Sequence, residues 1–268
     1  MSIQNKYSLL FVRCQLCTTL AVRMGKILSK IFQTKKDNKK SLAVLIDPDS
    51  LSIKDLEQQM NSAINAEVDY FFVGGSMITD DCLDETLTFL KKNSSIPIII
   101  FPGSVYQING KADAVLFLSL ISGRNPELLI GKHVLAAPMI KKSGIEVLPT
   151  GYMLIDSGKQ TTASYISSTL PIPNNKPSIA ACTAMAGEML GLKLIFLDGG
   201  SGAEKPVTAE MIKATAAVTD SPIIIGGGIS TAEKAIENWN AGADIVVIGT
   251  AFENDPSIIS EISKAKNR

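Results

Sequence analysis

Histidine and cysteine are scarce in this chain, one and four in 268 residues, and that scarcity removes several kinds of chemistry. Only Cys14 and Cys17 have the spacing of a metal or redox pair, and no second pair completes a zinc site, so the cysteines read as free thiols. His133 is followed by the apolar Val134, Leu135 and Ala136 and reads as an ordinary satisfied histidine, not a triad member. Also missing is any run of roughly 18 apolar residues, the length that crosses a bilayer, because Arg13 and Arg23 interrupt the early apolar stretch. That stretch has no small-residue cleavage site after a compact apolar region, unlike a signal peptide. A cytoplasmic location is the expectation.

The formal net charge is +0, so no nucleic-acid partner is expected, but the charge is unevenly spread. Residues 1–40 carry 9 Lys/Arg against a single Asp. Within them Ile27, Leu28, Ile31 and Phe32 recur at helical spacing among Lys26, Lys30, Lys35 and Lys36, the pattern of a short amphipathic helix. It suits two roles, contact with a membrane surface or a cover over one end of a barrel whose lysines are simply solvated. Met24 is a second candidate start. Residues 1–40 are therefore read as a basic extension, and 41–268 as one domain.

What is plentiful is apolar residue, 46% against 19% charged, enough for a large core. From Ser41 onward, short Val/Ile-rich runs alternate with amphipathic helical segments, the signature of parallel strands joined by right-handed crossovers. Eight runs qualify: LAVLID, YFFVGG, PIIIFPG, AVLFLSL, VLPTGYMLI, LKLIFLDGG, PIIIGGG and DIVVIGT. About eight strands in a chain of this length predict an α/β fold, a (β/α)8 TIM-type barrel. Ile53, Leu56, Met60 and Ile64 predict one outer helix face, and Leu83, Leu87 and Leu90 the next. Ser230 with Glu233 reads as a capping box and Gly242 as the end of that helix. One crossover breaks the pattern: GSVYQINGKAD, between the third and fourth runs, has glycines in place of a helical stripe. The third outer helix is expected to be missing, leaving either an apolar side groove for a long hydrophobic ligand or a packed loop.

In such a barrel the carboxyl ends of the strands form the functional face. Asp47-Pro48-Asp49 ends the first strand, where carboxylates can hold Mg2+, a hard cation that prefers oxygen and phosphate company. Gly74-Gly75-Ser76 ends the second, a hydroxyl beside backbone N–H groups. Asp198-Gly199-Gly200-Ser201-Gly202 places a carboxylate and a loop almost without side chains after the sixth. Gly226-Gly227-Gly228 after the seventh and Gly249-Thr250 after the eighth stand where barrels often seat a phosphate on backbone amides and a helix N-terminus. A phosphomonoester is the expected substrate.

In this order, L-I-D-P-D, F-V-G-G-S, S-G-R-N-P-E-L-L-I-G, A-A-P-M-I, L-D-G-G-S-G-A, I-G-G-G-I and V-I-G-T-A closely resemble the geranylgeranylglyceryl phosphate synthase family of prenyltransferases, over roughly Leu42 to Asn254. The PcrB-type enzymes of that family carry a lysine two residues before the metal-binding aspartate; Leu45 stands there, which points to the larger synthase branch.

The resemblance implies transfer of a geranylgeranyl group from its diphosphate to the C3 hydroxyl of sn-glycerol 1-phosphate, giving an ether-lipid precursor and pyrophosphate. It implies Asp47 and Ser76 on Mg2+, and glycerol phosphate held by Phe196, Leu197, Asp198, Gly199, Gly200, Ser201 and Gly202, by Gly226, Gly227 and Gly228, and by Gly249 and Thr250. Asp198 takes the position of a frequent glutamate and would accept the hydroxyl proton, directly or through water; Phe196 takes that of a usual tyrosine. Phe101 and Tyr106 are expected to limit the depth of the prenyl groove. Alanine-bearing outer helix faces suggest a homo-oligomer. The competing readings are another phosphate-binding barrel enzyme, such as a phosphosugar isomerase or synthase, and a non-catalytic barrel; the first leaves the D-P-D and G-G-S pair unexplained, and the second predicts that the strand-end carboxylates are lost.

Overall fold

In the computed structural model, described for residues 25–50, 52–77 and 82–266, eight parallel strands close into a barrel in sequence order. They are β1 (Ser41–Ile46), β2 (Tyr70–Val73), β3 (Ile98–Ile100), β4 (Ala114–Leu120), β5 (Glu146–Leu154), β6 (Leu194–Asp198), β7 (Ile223–Gly226) and β8 (Ile245–Ile248). Closure comes from β1 pairing with β8, Ala43 opposite Val247. Each strand coincides with one of the eight apolar runs. The helices are α1 (Lys26–Lys36), α2 (Ile53–Asn65), α3 (Leu83–Asn93), α4 (Lys132–Ser143), α5 (Thr162–Ser167), α6 (Pro177–Met189), α7 (Ala209–Ala216), α8 (Ala232–Ala241), α9 (Thr250–Asn254) and α10 (Ile258–Lys266).

Because side chains alternate along a strand, the barrel has two cores. One fills its interior, with Tyr70, Phe72, Leu116, Leu148, Leu194, Phe196 and Ile224. The other lies between strands and helices, with Phe71, Val73, Ile195, Leu197 and Trp239. Each fully buried side chain of this size contributes roughly 1.5–3 kcal/mol.

The apolar stripe of α1 belongs to the interior core: Ile27, Leu28 and Ile31 close the amino-terminal mouth of the barrel. Of the two roles its sequence suits, this packing is that of the cover: its apolar face is spent on the barrel interior. The Glu146 carboxylate accepts from Ile27 N at 2.9 Å and Leu28 N at 2.7 Å, capping a helix whose own N-cap, Gly25, has no side chain. Lys35 pairs with Asp244 at 2.9 Å, and the Lys30 ammonium lies 5.2 Å from the centre of the Tyr70 ring. Residues 1–24, including Cys14, Cys17 and Met24, lie outside the described residues.

Local expectations fare unevenly. Leu83, Leu87 and Leu90 are buried in α3 as their spacing requires. In α2, Leu56 and Met60 are buried but Ile53 and Ile64 are exposed, with Gln59 and Ala63 on the inner face instead. The cap of α8 is Thr231, accepting from Lys234 N at 3.2 Å, and not Ser230; two adjacent hydroxyl residues offer the same chemistry and the backbone chose the second. Gly242 ends that helix in the left-handed region. Between β3 and β4 only one helical turn, Val105–Gln107, replaces the third outer helix. Lys111 and Asn109 tie this crossover to Asp84 at the start of α3. No helix among the described residues is long and apolar enough to cross a membrane.

Candidate active site

At the carboxyl end of the barrel the glycine loops interlock. Gly199 N donates to Gly226 O at 3.0 Å, joining the turns after β6 and β7. Gly227 has φ +84°, and a Cβ there would sit 2.7 Å from both Gly199 N and Gly200 N. Any side chain would force the two turns apart, so the glycine is required for their close approach. Ser201 Oγ and Thr250 Oγ1 share a hydrogen bond of 3.1 Å, bringing the loop after β6 to the first residue of α9.

Asp198, the last residue of β6, is 7% exposed but faces the main cavity. Tyr152 Oη donates to its Oδ2 at 2.6 Å, and Gly200 N donates to its Oδ1 at 2.7 Å. Burial raises its pKa above the ordinary carboxylate value, and these two hydrogen bonds oppose the rise. Tyr152 is pushed well above its usual value by burial, then by the neighbouring Asp198 charge and the hydrogen bond to it. Beneath them is an aromatic floor: Phe101 stacks on Phe196 at 5.2 Å between ring centres, and Tyr152 meets both edge-on at 5.8 and 5.5 Å.

Across the opening, Asp47 and Ser76 at the ends of β1 and β2 line the same cavity. Burial raises the Asp47 pKa first, with Asp49 adding repulsion and the Asp49 N–H, 3.1 Å from Oδ1, opposing it. Glu253 in α9 also lines the cavity; burial and then the Asp47 charge raise its pKa. Gln107 fixes the neighbouring loop: its Nε2 donates to Gly75 O at 2.9 Å and its Oε1 accepts from Gly103 N at 3.1 Å.

From this opening the cavity, about 670 Å3, continues into a side groove where the third outer helix is missing. Val105 and Ile108 of the crossover, Val115 and Phe117 of β4, and Ala136 and Ile140 of α4 form its apolar wall. His133 lies among them, its ring edge-on to Phe117 at 4.4 Å and its Nε2 3.2 Å from Ser119 Oγ; burial lowers its pKa. A π-helical turn, Glu127–Gly131, leads into α4 and sets this inner face.

The cavity thus gathers Asp47, Ser76, Phe101, Phe196, Asp198, Gly200, Ser201, Gly202, Gly226, Gly227, Gly228, Gly249 and Thr250. Three expected residues fall elsewhere. Tyr106 is 89% exposed and lies outside the groove, because the turn that carries it faces Val105 and Ile108 inward. Leu197 points into the outer core, as strand alternation demands one position from Phe196 and Asp198. Gly199 holds the loops together and does not line the cavity.

A model of the PcrB family matches residues 35–266. The chain belongs to that family. The geranylgeranylglyceryl phosphate synthase of Chitinophaga pinensis is 53% identical over 241 residues, covering 90% of this chain and 96% of that one. The Pyrococcus horikoshii enzyme of the same name is 40% identical over 238 residues, 88% and 92% of the two chains. A crystal structure of (S)-3-O-geranylgeranylglyceryl phosphate synthase from Thermoplasma acidophilum, in complex with sn-glycerol-1-phosphate, superposes with TM-score 0.85 at 30% identity, over 90% of this chain and 98% of that one.

Within this family member, Tyr152, Gln107, Glu253 and the His133–Phe117 pair are the site residues that the motifs did not single out. Tyr152 pairs with Phe196 across β5 and β6, so Asp198 receives its phenolic hydrogen bond from the neighbouring strand. Its signal was the alternation of β5, which sends Thr150, Tyr152 and Leu154 inward once one register is known.

Proposed function

We propose that the chain is a Mg2+-dependent prenyltransferase that joins the geranylgeranyl group of its diphosphate to the C3 hydroxyl of sn-glycerol 1-phosphate. The observation that carries this reading is one cavity that combines glycine loops, two carboxylate centres and an apolar side groove. A phosphosugar barrel needs the first two but has no use for the groove.

The phosphate of glycerol phosphate suits the turns after β6, β7 and β8, where the absence of side chains allows backbone to approach it. Its glycerol end then lies toward Asp198 and the aromatic floor. The prenyl tail suits the groove of Val105, Ile108, Val115, Phe117, Ala136 and Ile140, where apolar surface leaves water. As the allylic C–O bond breaks, the electron pair leaves with the diphosphate; the C3 oxygen forms the ether bond and its proton passes to Asp198. Burial makes Asp198 a stronger base than an exposed carboxylate, while Tyr152 and Gly200 keep its oxygens in place. Positioning supplies most of the rate.

The donor set beside the diphosphate end, Asp47 and Ser76 with Glu253 near Asp47, is oxygen only, which fits a hard cation. Among the described residues no group of three or more His, Cys, Asp or Glu forms a metal cage; one or two carboxylates plus substrate phosphate suffice for Mg2+. Asp47 and Ser76 would hold it, and bound there it neutralises charge on the leaving diphosphate.

A homo-oligomer is also proposed. The exposed positions of α4 before Lys141 are Val134, Leu135, Ala137, Pro138 and Met139, an apolar face at the surface.

Purified protein with radiolabelled sn-glycerol 1-phosphate, Mg2+ and geranylgeranyl diphosphate is expected to move label into the organic phase. Label that stays in water, with farnesyl and heptaprenyl diphosphates as well, would overturn the reading.

A further inference from the structure

The loop after β5, residues 156–161, lies along the glycine loop after β6 and is fastened to it at several points. Lys205 N donates to Ser157 O at 2.9 Å. A Cβ on Gly158, φ +84°, would lie 3.2–3.4 Å from the Lys205 methylenes, so the lysine stem packs directly against that glycine. The Thr161 side chain stands 2.8–2.9 Å from where a Gly200 Cβ would be. Inside the loop, Gly158 N donates to Asp156 Oδ1 at 3.0 Å and Ser157 Oγ to Lys159 O at 3.3 Å, setting the backbone on either side of Lys159. This packing brings the Lys159 ammonium to 3.6 Å from the Cβ position of Gly202, a residue that lines the cavity. Among the described residues no carboxylate pairs with Lys159.

We propose that Lys159 is a substrate-binding residue, its ammonium closing over the phosphate of sn-glycerol 1-phosphate where the backbone of Gly200, Ser201 and Gly202 holds it. The proposal rests on the reading of these loops as the phosphate site. It brings a side chain from the loop after β5, and with it a full positive charge, to Gly200, Ser201 and Gly202, which themselves offer only amides and one hydroxyl. A backbone cradle offers partial charges fixed in direction; an ammonium on a flexible stem adds a full charge that follows the phosphate into place and leaves with it. Glycerol without phosphate gains nothing from it.

The test compares Lys159→Gln and Lys159→Arg with the wild-type enzyme. In Lys159→Gln the KM for sn-glycerol 1-phosphate is expected to rise about fivefold, the most a solvent-exposed ion pair usually gives. The KM for geranylgeranyl diphosphate should stay put, and Lys159→Arg should recover most of the loss. Raising salt should weaken glycerol phosphate binding more in the wild type than in Lys159→Gln, since screening acts on the charge only one of them has. An unchanged KM with the same salt slope in Lys159→Gln, or equal rises for both substrates, would overturn the role of Lys159 while leaving the phosphate site standing. Calorimetry on the wild type separates the two: if sn-glycerol 1-phosphate binds no better than glycerol, the phosphate site itself falls, and the proposal with it.

Discussion

Asp198 is held between opposing influences. Burial favours its protonated form; the Tyr152 hydroxyl and the Gly200 amide favour the carboxylate. The sign of a Tyr152→Phe change follows from this. Losing the hydrogen bond at 2.6 Å removes one force that lowers the Asp198 pKa, so burial carries it higher. If the carboxylate takes the substrate proton, the acid limb of kcat/KM should move to higher pH in Tyr152→Phe, and the rate at neutral pH should fall. The ring itself is retained, so contacts with Phe101 and Phe196 survive. A pH–rate profile whose acid limb coincides with that of the wild type would show that Tyr152 serves the aromatic floor and not the carboxylate.

Among elements, α1 shows how a surface-looking segment becomes structural. Its three buried residues complete the interior core, and its N-terminus is capped from β5 by Glu146, 118 residues away from Leu28 in sequence. Glu146→Ala leaves two amides without that acceptor and removes a negative charge from the positive end of the helix. A loss of about 1–2 kcal/mol is expected, read as a lower urea midpoint with an unchanged slope, while turnover at low temperature persists because the site is at the other mouth. An unchanged midpoint would mean that packing alone holds α1. The sequence carried the amphipathic stripe of this helix but not its destination, since no local pattern encodes a cap supplied from so far along the chain. Strands were easier to read: each lies in a short apolar run, and most end at or beside a glycine or aspartate, both local signals. The groove was half legible. Glycines in GSVYQINGKAD disclosed the missing helix, but which of Val105, Tyr106 and Ile108 turn inward depends on the single turn they form, and Tyr106 turned out.

At the scale of the whole molecule, the outer surface is not uniform. On α2 charged Lys54, Asp55 and Glu57 are interspersed with the exposed Ile53 and Ile64, a mixed solvated face. On α4 the exposed positions include Val134 and Leu135, each 64% exposed, and Met139, with charge only at Lys141 and Lys142 in its last turn; on α6 they include Ile179 and Met189, followed by Leu190 just beyond its end. These helices follow the adjacent strands β4 and β5, so the apolar positions fall on one side of the barrel. A helix apolar on its outer as well as its inner face is a buried helix that has not yet been covered. The proposed homo-oligomer would use this side, since an apolar patch can serve as its own complement across a twofold axis. Such a contact needs about 800 Å2 from each partner to be stable. Sedimentation equilibrium should therefore give about twice the chain mass of 28.6 kDa, and Leu135→Glu, which sets two carboxylates against each other in an apolar contact, should return it to one. If the unaltered protein sediments as a single chain at micromolar concentration, the apolar side has another occupant, and the groove wall on the inner face of α4 forms without help from a partner.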